Sequence, residues 1–181
     1  MSRITLPSRE NTLAAAQPLL DAVEKQLGMV PNLFRLIALS PATLKGYLDF
    51  SGALARTLDV KTRERIAIAV AQANGCDYCL SAHSFIGLNM ARIDSAEIAR
   101  NRDGHSADPR ADAAVVFALK LVRERGQLRS TDVGTVRAAG FSDAPIVEIV
   151  ALVAENIFTN YLNIVADTEI DFPVVLTRET V

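Results

Sequence analysis

The chain has 181 residues, half of them hydrophobic and 22% charged, and its 19 Lys and Arg against 21 Asp and Glu give a formal net charge of −2. That length suits one domain with a proper core, and the interspersed, nearly balanced charges leave no basic footprint for nucleic acid or an anionic membrane surface. So apolar a composition is expected to bury surface against further copies of the same chain, as a homo-oligomer.

The opening "MSRITLPSRENTLAAAQ" lacks the basic start, apolar run and small-residue cleavage site of a secretory signal, so a cytoplasmic location is expected. Residues 1–11 read as a polar arm, ahead of a helix from Thr12 to Leu27 that Pro18 breaks or kinks and Gly28 stops. "MVPNLFRLIALS" gives a second short helix with Pro31 near its first turn, and Ser40 with Pro41 starts a third. Asp59 is a candidate N-cap for "VKTRERIAIAVAQAN", where Ile66, Ile68 and Val70 alternate like a strand but the alanines between them favour helix. A helix apolar all round belongs in the middle of a core. Asn74-Gly75 ends it, and a new helix runs from the cysteines to about Asn89.

A short helix follows Asp94, then the polar loop "NRDGHSADPR". "ADAAVVFALKLVRERG" is an amphipathic helix closed by Gly126, and "STDVGTVRAAG" starts on a Ser130 or Thr131 cap and closes at Gly140. The longest helix is entered through Ser142 or Asp143, with Pro145 in its first turn. Its apolar stretch "IVEIVALVAENIF", interrupted by Glu148 and Glu155, is far short of the ~20 apolar residues of a membrane span and reads as a buried helix. With no strand-rich run and no GxGxxG loop, the expectation is a single all-α domain over 12–181 without a nucleotide site.

The chemistry-bearing residues cluster in "ANGCDYCLSAH", which holds both cysteines and one of the two histidines. On a helix, Cys76, Cys79 and His83 fall within an arc of about 60°. Two cysteines so close make a poor structural staple in a reducing compartment, which leaves a reversible dithiol or a metal site. A thiol must ionise to react, and two features favour this. The helix N-terminus favours Cys76, whereas His83 can accept the proton of Cys79 and later return it to a leaving oxygen. The second argument carries more chemistry, so Cys79 is the expected nucleophile. Glu64, one turn into the preceding buried helix, is the candidate to orient His83, because a carboxylate on such a face needs a partner.

Glu64, eleven intervening residues, "CDYC", "LSA" and His83 together resemble the alkylhydroperoxidase D-like (AhpD-like) group of the carboxymuconolactone decarboxylase superfamily. The likeness extends to "GMVPNLFRLIALSPATLKGYLDF", "AAVVFALKL", "VRAAGFSDAPIVEIVALVAENIFTNYLN" and the closing "DFP", which look like its peroxidase-related branch. The resemblance implies an AhpD-like helical bundle assembled as a trimer or hexamer, and a peroxidase that needs neither metal nor organic cofactor. It implies Cys79 as the peroxidatic cysteine, Cys76 as the resolving one, His83 as base and Glu64 as the far end of a proton relay. A hydroperoxide would be the substrate and a thioredoxin-like or lipoyl-like dithiol protein the reductant. One departure is Tyr78, which stands where some members carry a histidine of a second relay branch.

Other readings remain open at this point. Zinc would take Cys76, Cys79, His83 and His105, and a decarboxylase-like lyase or isomerase would leave the cysteines as bystanders. Asn156, Asn160, Tyr161 and Asn163 form a polar strip read as capping and interface residues, and Tyr78 is read as packing turned away from the cluster. Phe34, Phe50, Phe85 and Phe117 are read as core or pocket wall.

Overall fold

The computed structural model describes residues 2–178 and is all-helical, with nine helices and no strand among the described residues. The outer parts of the expected arm and domain, Met1 and residues 179–181, lie outside the described residues. The arm is docked rather than free, since the Arg3 N–H donates to the Ala166 carbonyl at 2.6 Å and the Arg35 guanidinium reaches the Pro7 carbonyl.

Helix α1 spans Gln17–Leu27, five residues shorter at its start than the sequence suggests. Pro18 opens this helix instead of kinking it, because a residue without an N–H fits the first turn and clashes further in. Helix α2, Asn32–Ile37, has Pro31 as its N-cap, and α3, Pro41–Leu54, is capped by the Ser40 hydroxyl. The ambiguous segment is α4, Val60–Asn74, its start fixed by Asp59 Oδ1 accepting the Thr62 N–H at 3.0 Å. Loss of such a cap costs about 1 kcal/mol.

Every residue of α4 from Ile66 to Gln72 is buried, so it is the axis of the domain, packed against α5 (Asp77–Asn89), α6 (Ser95–Arg102), α7 (Pro109–Arg123) and α9 (Asp143–Ala166). Its alanines let these neighbours approach closely, while Ile66 and Val70 fill the space shared with Val115 and Phe117 of α7 and Ile149 and Leu152 of α9. Each such aliphatic side chain contributes about 1.5–3 kcal/mol by leaving water.

Two boundaries differ from the sequence reading for local reasons. Helix α7 starts two residues early because Asp108 Oδ1 accepts from both Arg110 and Ala111 N–H groups. Helix α8, Ser130–Ala138, uses neither Ser130 nor Thr131 as cap: Asp132, paired with Lys120, reaches back to accept the Arg129 N–H at 3.0 Å. Helix α9 runs 24 residues, and by length and composition it is long and apolar enough to cross a membrane, contrary to expectation. Its apolar positions continue past Glu155 through Ile157, Phe158, Leu162 and Ile164, while Ile149, Leu152, Val153 and Asn156 are buried inside the bundle.

After α9 the chain runs without helix along α5 as a strap, the feature sequence periodicity leaves unread. The Val175 N–H donates to Ser81 Oγ at 2.9 Å, and Thr177 donates both its N–H and its hydroxyl to Asp77 Oδ1 at 2.7 Å. Phe172 stacks edge-on against Tyr78, with ring centroids 5.9 Å apart.

Candidate active site

The turn between α4 and α5 positions the cysteines. Gly75 adopts φ +69°, a left-handed conformation that suits glycine, and closes α4 while turning the chain into α5. Cys76 is not inside the helix but is its N-cap, and its Sγ accepts the Cys79 N–H at 3.3 Å. Both thiols are free, and both are buried, at 1% and 3% exposure. Cys76 sits in an apolar cluster with Ile68, Leu80 and Ile98, over which Ile170, Phe172 and Val175 of the strap are packed.

One turn beyond Cys79, His83 presents Nδ1 to Glu64 Oε2 at 2.8 Å, so the structure brings Glu64, His83 and the two cysteines together. A carboxylate only accepts, which places the proton on Nδ1 and leaves Nε2 as the basic atom. Glu64 is 14% exposed at its side chain, shielded enough for this contact to matter.

Burial alone would lower the His83 pKa, but the Glu64 charge and hydrogen bond outweigh it and hold it above the ordinary value. At Cys79 the hydrogen bond from Cys76 acts first and burial opposes it. With His83, Asn163 and Asn160 adding to the pull, the thiol falls to about 7. Cys76 moves the other way, pushed up by its bond to Cys79 and by burial. The helix N-terminus therefore does not make Cys76 the anion: the Cys79 N–H that its sulfur accepts favours the thiolate, but the thiol's side-chain hydrogen bond to Cys79 and burial outweigh it.

Cys79 and His83 line a cavity of about 300 Å³, with Leu33, Phe34, Phe85, Met90 and Phe172 among its walls. Among the described residues no Asp, Glu, Lys or Arg lines it. Behind His83 a second chamber of about 210 Å³ contains Glu64, Glu155, Tyr47, Ser51 and Arg63, so the imidazole forms a wall common to both. Burial pushes the Glu155 carboxyl up, and burial followed by the Glu155 charge pushes the Tyr47 phenol up. A cavity of about 340 Å³ between α7 and α8 contains none of these groups.

Several side chains differ from their sequence reading. Tyr78 does pack, but it faces the cavity beside Cys79, and its phenol oxygen accepts the Leu33 N–H at 3.0 Å. Asn163 is no interface residue: its Nδ2 donates to Cys79 Sγ at 3.3 Å. Asn160 is fully buried and takes the Asn74 Nδ2–H at 2.8 Å on its carbonyl oxygen. Phe34 and Phe85 line the cavity and Phe117 lies in the core, but Phe50 is 42% exposed on the outer side of α3. Glu155 was legible only as a charge interrupting an apolar helix. His105 pairs with Asp112 in an exposed loop, and among the described residues no group of three or more His, Cys, Asp and Glu could hold a metal ion.

Comparison with known proteins gives the following likenesses. Residues 41–124 match the carboxymuconolactone decarboxylase family model, a stretch that contains Glu64, both cysteines and His83. An alkylhydroperoxidase AhpD core structure, an uncharacterized peroxidase-related protein from Ralstonia eutropha JMP134, is 23% identical with a TM-score of 0.83, covering 94% of this chain and 92% of that one. An uncharacterized peroxidase-related protein from Silicibacter sp. TM1040 is 24% identical with a TM-score of 0.82, covering 93% and 91%. A cysteine-to-alanine variant of the debrominase Bmp8, in complex with 2,3,4-tribromopyrrole, is 20% identical with a TM-score of 0.79, covering 94% of each chain. No curated protein matches the chain.

Proposed function

We propose that this chain, whose residues 41–124 match the carboxymuconolactone decarboxylase family, is an AhpD-like member of that superfamily and acts as a dithiol peroxidase. The observation that carries the reading is the convergence of the Glu64–His83 pair, at 2.8 Å, with a low-pKa Cys79 at a cavity wall. The Cys79 thiolate attacks the outer oxygen of a hydroperoxide, the O–O bond breaks, and the departing alkoxide takes a proton from His83. Cys79 becomes a sulfenic acid. The Cys76 thiol then attacks that sulfur, forming the Cys76–Cys79 disulfide and releasing water. An external thioredoxin-like or lipoyl-like dithiol reduces the disulfide and is itself oxidised. Glu64 keeps the imidazole oriented and stabilises it while it carries the extra proton.

Peroxide consumption with a supplied dithiol tests this. Cys79→Ser is expected to abolish turnover, while Cys76→Ser retains the first attack and accumulates a trappable sulfenic acid. Turnover unchanged in Cys79→Ser would refute the assignment, whereas a lyase or isomerase activity that survives loss of both thiols would favour the decarboxylase-like alternative.

A second reading is favoured by the likeness to the debrominase together with the aromatic, uncharged cavity walls. Here the same dithiol removes halogen from a bromopyrrole-like ring. Bromide release from a bromopyrrole by the reduced protein, absent in Cys79→Ser, would select it over the peroxidase.

A further inference from the structure

One buried carboxamide on α9, that of Asn163, reaches the sulfur that the reaction uses, and a second, that of Asn160, lies one turn before it. Asn160 and Asn163 are one helical turn apart, so they project from the same face, and they are 0% and 2% exposed. Asn163 Nδ2 lies 3.3 Å from Cys79 Sγ. The orientation of Asn160 is fixed from α4: the Asn74 side chain donates to its carbonyl oxygen at 2.8 Å, which commits the NH₂ group to the opposite side. Among the described residues that NH₂ group has no hydrogen-bond partner. A buried donor without an acceptor is costly, and native interiors seldom keep one without a use. The thiol, a weak acceptor, meets this need poorly; a thiolate meets it well.

We propose that Asn160 and Asn163 are positioning residues that hold the Cys79 sulfur as an anion, with Asn74 fixing the first of them, and that this pair directs attack to Cys79 rather than Cys76. The inference deepens the dithiol reading and rests on it for the choice of reacting atom. The titratable groups around Cys79 are Cys76 and His83 on its own helix, the adjacent Tyr78, Tyr47 of α3, Glu64 of α4, Glu155 of α9 and Asp171 of the strap. The acids among them oppose a thiolate, and His83 helps only while it is protonated. The carboxamides supply N–H donors whose strength does not change with pH. Both act on the thiol in the downward direction, alongside Cys76 and His83. The direct contact singles out one sulfur, since Asn163 donates to Cys79, and among the described residues no hydrogen bond joins it to Cys76.

The pair also bears on the redox balance of the dithiol. Donors that stabilise the thiolate favour the reduced protein, which makes the disulfide the more readily reduced form. Removal of either carboxamide therefore shifts the thiol–disulfide equilibrium toward the disulfide as well as raising the thiol pKa.

The test is the pH dependence of alkylation at Cys79, followed by peptide mass with iodoacetamide as the probe, in Asn163→Leu, Asn163→Asp and Asn74→Ala. The wild-type midpoint is expected at about 7. It should rise by about one unit in both Asn163 variants and by less in Asn74→Ala, whose Asn160 amide is released but not removed. The limiting rate at high pH should stay unchanged, which a general loss of packing would not allow. Asn163→Asp keeps the shape of the side chain, and Asn74→Ala leaves both carboxamides in place, so a misfolded Leu variant does not remove the test. A midpoint that stays at the wild-type value in folded Asn163→Asp and Asn74→Ala protein overturns the proposal. Because alkylation needs no peroxide, a protein that shows these shifts but consumes no hydroperoxide refutes only the peroxidase reading.

Discussion

Glu64 and His83 come from different helices, and their contact makes the site more than a pair of neighbouring thiols. The Cys79 thiolate is favoured when the imidazole carries a proton, and Glu64 raises the imidazole's affinity for that proton. Glu64→Gln keeps the size of the side chain but removes the charge, so imidazolium becomes less stable and the thiol holds its proton to higher pH. The midpoint of the pH–rate profile for kcat/KM, expected to follow the Cys79 thiol, whose pKa is held at about 7 in the wild type, should move upward, and the rate at neutral pH should fall by about 10–100-fold. A midpoint that is unmoved, or moves down, contradicts the relay. The same sign governs stability. A histidine whose folded pKa is raised contributes stability that is complete below its ordinary value of about 6.5 and lost as the pH rises through the folded value.

At the scale of elements, the cysteine motif works because α5 starts on it. As N-cap, Cys76 lies outside the helix and under the strap, while Cys79 sits in the first turn at the cavity wall. Helix α9 serves two surfaces. Its inner face carries Asn156, Asn160 and Asn163, and its outer face exposes Val147, Val150, Phe158, Tyr161 and Val165 along one stripe. Contiguous apolar stripes are uncommon on monomers, so we propose that a second copy of the chain covers this one. Sedimentation of the wild type is expected to give a multiple of the 19.5 kDa chain mass, with Val147→Lys/Val165→Lys reducing it to the single chain. Wild-type protein that sediments at the mass of one chain would exclude the interface.

Across the whole molecule, what could be read from sequence is what local chemistry decides. Asp59, Ser40 and Gly75 mark helix ends through their own side-chain and backbone preferences, and the alanines of α4 settle helix against strand within a single segment. Cys79 and His83 share one helix and Cys76 caps it, so their spacing alone predicted their proximity. Glu64 required one further step, the demand of a buried carboxylate for a partner. The roles of Asn160 and Asn163 stayed hidden because they depend on α9 folding back across α5, more than eighty residues away in sequence. Residues 168–178 were unread for a related reason: they have no periodicity of their own and are ordered by hydrogen bonds to Asn32, Asp77 and Ser81.

On the proposed mechanism, those long-range contacts and the local motif serve one chemical event, closure of an S–S bond between Cys76 and Cys79 after oxidation of Cys79. Peptide masses before and after reaction of the reduced protein with an equimolar organic hydroperoxide measure it directly. The account predicts loss of both thiol hydrogens from the single peptide that spans the two cysteines, reversed by a dithiol. An unchanged peptide mass, or a stable added oxygen on Cys79 beside a Cys76 that still alkylates, would contradict it.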